Sequence, residues 1–282
     1  MPPLTKIAHE LAFDLLNASY QSQNSFLGGS LSCIDILTAL YFGKKDKKPL
    51  FRLNIKKPGS EELDYFILSK AHAALALYCV LAKLGYIDQK ELASYNKNNS
   101  LLTKFPNNKI PGIKIQAGGP GEGLSIANGV AIALKIDKKD NKVFVLAGDG
   151  ELQEGQIWEA AMTAAHYKLN NLCLIIDCNK MQQDGHIKGI KNIEPIYDKF
   201  KAFGWQVLSS VDGHNIKELI DLIPKAWNKN NTIKPTCVLA PTIKGYRIPF
   251  MENKFSYHNS TLSKPEMNLA LKQLQTPKTN TP

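Results

Sequence analysis

Apolar residues recur at helical spacing near the start of the chain: Leu4, Ile7, Ala8, Leu11 and Leu15 share one face and predict a helix over residues 4–20. A second helix is expected from Cys33 to Phe42, with Ser32 as its cap. A Lys-rich, Pro-containing loop follows to about Glu62. Asp64–Leu68 reads as a short strand, Ala71–Leu84 as an apolar helix stopped by Gly85, and Asp88–Tyr95 as a short helix. Residues 96–123 show no periodicity. Leu124–Lys135 then reads as a helix and opens an alternating pattern. Strands are expected at Val143–Ala147, Leu172–Asp177, Trp205–Ser209 and Thr236–Ala240. Helices between them are expected at Gln156–Tyr167, Pro195–Phe203 and Ile216–Trp227. Strands that are apolar throughout and separated by helices predict an α/β fold, a parallel sheet with helices on both faces. From about Asn268 the pattern fades to a weak helix or frayed tail.

The chain has 282 residues, 44% of them hydrophobic and 21% charged, which suits a folded globular protein with a sizeable core. No apolar run approaches the roughly 20 residues needed to span a bilayer, and the first residues lack the apolar core of a signal peptide. The expected location is the cytoplasm, with no membrane partner. Net charge is +10, from 35 Lys+Arg against 25 Asp+Glu. Only Arg52 and Arg247 are arginines, and the lysines are spread along the chain, so a nucleic-acid partner is not expected. Cys33, Cys79, Cys173, Cys178 and Cys237 form no C-x-x-C pair and read as free thiols.

In a parallel sheet, ligands sit beyond the carboxyl ends of the strands. Gly148-Asp149-Gly150 follows one predicted strand, and Asn179 follows the next. One strand–helix–strand unit separates them, so a right-handed crossover brings both loop tips to the same sheet edge. Asp149 offers a carboxylate, Asn179 an amide oxygen, and a main-chain carbonyl near Met181 completes a hard oxygen set of the kind Mg²⁺ takes together with phosphate and water. The glycines let the backbone approach phosphate closely. For Gly-Asp-Gly alone, a plain turn between strand and helix is the competing reading.

The run Gly148-Asp149-Gly150-Glu151-Leu152-Gln153-Glu154-Gly155 through Asp177-Cys178-Asn179 resembles the thiamine diphosphate signature, and its flanks resemble transketolases. Leu68-Ser69-Lys70-Ala71-His72 is similar to that family's Leu-Ser-x-Gly-His segment. Gly118 to Leu124 resembles its Gly-Ser-Leu-Gly-Gln-Gly-Leu loop. Thr242-Ile243-Lys244-Gly245 and the later Phe255-Ser256-Tyr257-His258 resemble its segment carrying a Lys and a His. The resemblance runs from about Ile7 to Glu266 and is strongest to the separate N-terminal subunit of split, two-chain transketolases.

The resemblance implies a thiamine diphosphate-binding (PP-type) fold over residues 1–265, with 266–282 as a tail. It implies Asp149, Asn179 and the Met181 carbonyl as ligands of Mg²⁺, for which Ca²⁺ or Mn²⁺ would substitute. Gly150 would meet the diphosphate. Gly118 and Pro120 would approach the cofactor rings, and Lys244 would contact the cofactor. His72 and His258 would line the diphosphate and the reaction centre as catalytic residues. Glu154 and Glu159 would lie near a subunit interface, with Glu154 on the cofactor side. In this family a Glu from a second, pyrimidine-binding domain activates the cofactor. The chain stops before such a domain begins, so a C-terminal partner subunit is expected, most simply in an α₂β₂ assembly. The expected reaction is transfer of a two-carbon unit from a ketose or 2-keto donor to an aldehyde or other carbonyl acceptor.

Two departures stand out. Phe26, in Ser25-Phe26-Leu27-Gly28-Gly29-Ser30, and Phe105, in Lys104-Phe105-Pro106, stand where the family has substrate-facing histidines. A phenyl ring donates no hydrogen bond to a sugar hydroxyl. This raises two alternatives: acyl transfer from a 2-keto acid such as pyruvate, and a non-catalytic scaffold subunit. Pro120 and Glu122 also replace the family's Leu and Gln.

Overall fold

The computed structural model describes residues 3–23, 25–227 and 233–275. The chain opens with α1 (Leu4–Ser22) and α2 (Leu27–Phe42), and a two-residue hairpin, β1 (Lys44–Lys45) and β2 (Lys48–Pro49), sits in the Lys-rich loop. β3 (Tyr65–Leu68) leads through a 3-10 turn into α3 (Ala74–Leu84), which ends at Gly85 in a left-handed conformation. After a long irregular stretch come α4 (Glu122–Ile136), β4 (Val143–Gly148), α5 (Gly155–His166), β5 (Leu172–Cys178), the single turn α6 (Ile187–Ile190) and α7 (Ile196–Ala202). The chain continues with β6 (Gln206–Ser209), α8 (Ile216–Leu222), β7 (Thr236–Pro241) and α9 (Lys264–Gln275).

The five long strands form one parallel sheet in the order β3-β4-β5-β7-β6. Side chains alternate along each strand between two apolar clusters. On β4, Phe144 and Leu146 join the cluster of α1, α2, α3 and α8. Val143, Val145 and Ala147 join that of α4, α5 and α7. With both faces covered, the inner strands β4, β5 and β7 have little need of polar positions, which is why they read as largely apolar runs. α5 and α7 cross on one face. α8, which returns from β6 to the inner strand β7, lies on the other, as right-handed connections require. The reversal of strand order sits beside β5, and the functional loops gather there.

Four expectations need correction. α2 begins at Leu27 instead of Cys33. Gly28 lies in its first turn, and a Cβ there would come within 2.8 Å of the Tyr257 carbonyl oxygen, so the close approach of that segment requires glycine. α2 is buried almost all round, so it shows no amphipathic stripe that could mark its start. The segment at Gln89–Ser94 is 3-10, capped by the Asp88 side chain. The helix expected to reach Trp227 gives way to 3-10 at Ile223, beside Pro224, which has no N–H to donate. The C-terminal segment is firmer than a frayed tail. α9 buries Met267, Ala270 and Leu274 in the core, so the boundary expected after residue 265 falls inside it, while residues 276–282 lie outside the described residues. Four of the five cysteines are buried, all five are free, and no helix among the described residues is long and apolar enough to cross a membrane.

The carboxyl end of the sheet closes on a buried charge. Asp177, in β5, is fully buried and accepts hydrogen bonds from Lys70, Ser32, Thr242 and Asn179. Burial alone would raise its carboxyl, but the charge and hydrogen bond of Lys70 and the two hydroxyl donors outweigh that and hold it below the usual range. Burial would likewise depress Lys70, and Asp177 reverses the direction. Removing one member strands the other charge. We therefore expect K70M to lose about 3–5 kcal/mol of unfolding free energy, and K70M/D177N, which leaves no charge behind, to lose less. Denaturant melts of the three proteins check this.

Candidate active site

Loops from the ends of β3, β4, β5 and β7 converge with the first turn of α2 on one cleft of about 250 Å³. Asp149 and Asn179 line it together, joined by Pro120, Gly150, Glu154, Met181, His72, Lys244 and His258. Of the cofactor and metal residues anticipated above, only Gly118 stands outside the wall. Its main-chain N–H, with that of Gly119, points to the Glu122 carboxylate at 3.3 and 2.9 Å. Glu154 and Glu159 are exposed in this chain.

Asp149 is almost completely buried. One carboxylate oxygen accepts the Gly150 N–H (2.9 Å) and the other the Lys180 N–H (2.6 Å), the latter from the loop after β5. Burial, reinforced by the nearby Asp177 charge, pushes its carboxyl up to about 7. Asn179 donates its amide N–H₂ to Asp177 and Ser32, each at 3.3 Å, which turns its carbonyl oxygen toward the Met181 N–H at 3.1 Å. Among the described residues no group of three or more His, Cys, Asp or Glu side chains is placed to hold a metal. The donors on hand are one carboxylate, one amide oxygen and main-chain carbonyls. Such a hard, sparse set fits Mg²⁺ that takes its remaining oxygens from a phosphate ligand and water, and not a zinc site.

Above this floor stand one cationic group, Lys244, and two imidazoles, His258 and His72. Lys244, from the loop after β7, donates to the Gln182 carbonyl (3.0 Å) and to His258 Nδ1 (2.8 Å). An ammonium has only donors, so His258 carries its proton on Nε2. Burial and then the neighbouring Lys70 charge lower Lys244 to about 8. Burial and then Lys244 lower His258 to about 3, so its ring is neutral at ordinary pH. Burial and then Lys70 lower His72 as well. Phe26 lies 4.3 Å from the His72 ring centroid and 5.7 Å from that of His258.

Several positioning residues were given no role by sequence reasoning. Glu151 is a buried carboxylate that accepts from Ser69 Oγ (2.7 Å), Gly121 N (3.0 Å) and Gly148 N (2.7 Å), stapling three loops together. Asp35, inside α2, holds Arg247 through both guanidinium nitrogens and His214 Nδ1 at 2.9 Å, while His214 Nε2 accepts the Ile243 N–H at 2.8 Å. That cluster ties the segment bearing Lys244 to the helix that starts at the cleft. The one available signal is a charged residue inside an apolar run: Asp35 in α2 and Asp177 in β5 both break such runs.

Comparison with known proteins agrees with this architecture. The family model described as "Transketolase, thiamine diphosphate binding domain" matches residues 6–279. A 6-deoxy-6-sulfo-D-fructose transketolase subunit, SqwG, from Clostridium sp. is 39% identical over 250 residues, covering 88% of each chain. A subunit of the apulose-4-phosphate transketolase from Phocaeicola vulgatus is 35% identical over 260 residues, covering 92% of this chain and 89% of its own. Among solved structures, transketolase from Campylobacter jejuni superposes with a TM-score of 0.85 at 28% identity, over 96% of this chain and 43% of that one. The Pichia stipitis enzyme gives 0.86 at 25% identity, over 96% and 40%. The chain thus spans about 40% of the solved transketolases it matches. With the family model spanning nearly its whole length, the chain belongs to the transketolase family, as the thiamine diphosphate-binding domain of that family.

Proposed function

We propose that the chain is the N-terminal, cofactor-binding subunit of a thiamine diphosphate-dependent transferase that moves a two-carbon unit from a ketose or 2-keto donor to an aldehyde acceptor. The observation that carries this reading is the joint placement of Asp149 and Asn179 on one cleft floor, beneath Lys244, His258 and His72. Bound there, the cofactor supplies a carbanion at its thiazolium C2 and an electron sink. Asp149, Asn179 and the Met181 carbonyl hold Mg²⁺, or Ca²⁺ or Mn²⁺ in its place. The absence of a side chain at Gly150 keeps the floor open to the diphosphate. Lys244 neutralises diphosphate charge, and Pro120 and Glu154 border the cofactor from the opposite loops. Gly118, although outside the wall, holds the Pro120 turn in shape through its bond to Glu122. His258 presents its Nε2–H, and His72 its neutral ring, to the reacting oxygen atoms of substrate.

A second subunit completes the site. Three relatives matched over most of their own length are named as subunits, which supports this division. The partner is a C-terminal transketolase-like chain whose pyrimidine-binding domain brings the activating Glu, in an α₂β₂ assembly, with Glu159 near the interface. An assembled cleft with both oxygen donors in place speaks against a mere scaffold. Free cysteines throughout fit a reducing compartment, the cytoplasm.

Three outcomes are expected. The purified chain with thiamine diphosphate and Mg²⁺ turns over no donor, and adding the pyrimidine-domain subunit restores turnover; full activity of the single chain contradicts the reading. In the complex, chelating the metal or making D149A weakens cofactor binding by more than tenfold, or at least about 1.4 kcal/mol by calorimetry. Lys244 carries its charge below about 8 and loses it above. Affinity of the complex for the cofactor therefore declines as pH rises through that value in the wild type. It stays flat in K244R, whose guanidinium keeps its proton.

A further inference from the structure

The amino end of the sheet, opposite the cleft, carries a second hollow of about 270 Å³. It lies between the β1–β2 hairpin, Lys142 just ahead of β4, and the 3-10 turn Ile223–Trp227 that follows α8. β4 runs six residues at about 3.3 Å each, so the hollow and the Asp149 loop lie about 20 Å apart. None of the residues lining it takes part in the function proposed above.

Ile223, Pro224 and Trp227 form an apolar wall. The indole packs edge-to-face with Phe144 of the core, centroids 5.6 Å apart and planes at 82°, so it is a fixed surface. Lys142 Nζ lies 5.0 Å from the indole centroid. That ammonium is half-buried, and burial, more than any neighbouring charge, lowers its basicity. Among the described residues it has no carboxylate partner and no hydrogen-bond acceptor. A ring face replaces only part of the hydration it has given up. Lys48, on the hairpin, is likewise without an acceptor among the described residues, whereas Lys45 is engaged by Asp221. Asp46 supplies the one carboxylate of the lining.

These groups set three requirements on an occupant. Two unengaged ammoniums call for an anionic head. The Asp46 carboxylate repels a ligand that is anionic throughout and accepts from neutral O–H or N–H donors. The apolar wall takes a flat body, because an indole packs best against another ring. Phosphate, sugar hydroxyls and base supply head, donors and body in one molecule. The volume lies below the roughly 300 Å³ at which sites for larger ligands begin, which suits a mononucleotide and not a dinucleotide. From the juxtaposition of Lys48, Lys142, Asp46 and Trp227, we propose that this hollow is a binding site for a nucleoside monophosphate, separate from the cleft.

The test uses the full chain with a chelator present, so that the cleft has no metal to offer a phosphate. AMP is the probe, titrated by calorimetry and by tryptophan fluorescence, against inorganic phosphate and adenosine. AMP is expected to bind at least tenfold more tightly than either. K48M and K142M should each weaken AMP by tenfold or more, and W227F should remove most of the fluorescence change. K244M, which removes a cation of the cleft, should leave AMP affinity within twofold. Melting temperatures of the variants are recorded alongside; Lys48 is exposed on the hairpin, so K48M keeps the test open if K142M or W227F folds poorly. No binding of AMP, equal binding of adenosine or phosphate, an affinity that neither lysine variant moves, or loss of binding in K244M overturns the assignment. Each of those results leaves the thiamine diphosphate reading as it stands, because that reading is tested by turnover of donor.

Discussion

A carboxylate with no access to water organises this site. Asp177 sits where β5 ends, and its oxygens draw in an ammonium from the β3 loop, a hydroxyl from α2 and a hydroxyl from the β7 loop. Elements far apart in sequence are thereby registered to a single point. The same carboxylate fixes the sense of the Asn179 amide, because only its N–H₂ end can face an acceptor. In a low-dielectric interior such an arrangement holds only when complete, so the geometry of the floor and the folding of the sheet end depend on each other.

The sheet was legible because its inner strands are buried on both faces and so read as apolar runs between helices. Asp149 and Asn179 were legible because each follows directly on a strand, where topology alone decides which loop tips meet. Spacing identifies Met181, Lys244 and His258 only through the family resemblance. The start of α2 was hidden because its first turn contains two glycines and its whole circumference is buried. α9 was obscured by its polar composition: only three of its side chains, Met267, Ala270 and Leu274, are buried. Glu151, Lys70 and Asp35 could not be anticipated, since each acts through a partner more than thirty residues away or through main-chain groups, and no local pattern records that.

The two halves of the cleft answer to different physics. Ionic groups on the floor demand mutual satisfaction, so few substitutions there are neutral. The aromatic roof, Phe26 against His72 and His258, is held by ring packing, while two bonds to the Phe105 carbonyl fix the neighbouring main chain whatever its side chain. Roof and floor also meet at Lys244, which touches His258 on one side and the Gln182 carbonyl on the other. The depressed basicity of that lysine comes from burial beside Lys70, so the floor sets a property of the roof.

The staple made by Glu151 has a consequence for how such a protein can diversify. Two of its three bonds reach backbone amides, those of Gly121 and Gly148, and backbone amides survive almost any change of side chain. A loop gripped in this way keeps its course while its outward residues are exchanged. Pro120 and Glu122 stand in that loop in place of the family's usual residues, and the cleft is nonetheless assembled. Holding the main chain and freeing the side groups lets one scaffold explore new chemistries without having to refold its mouth each time.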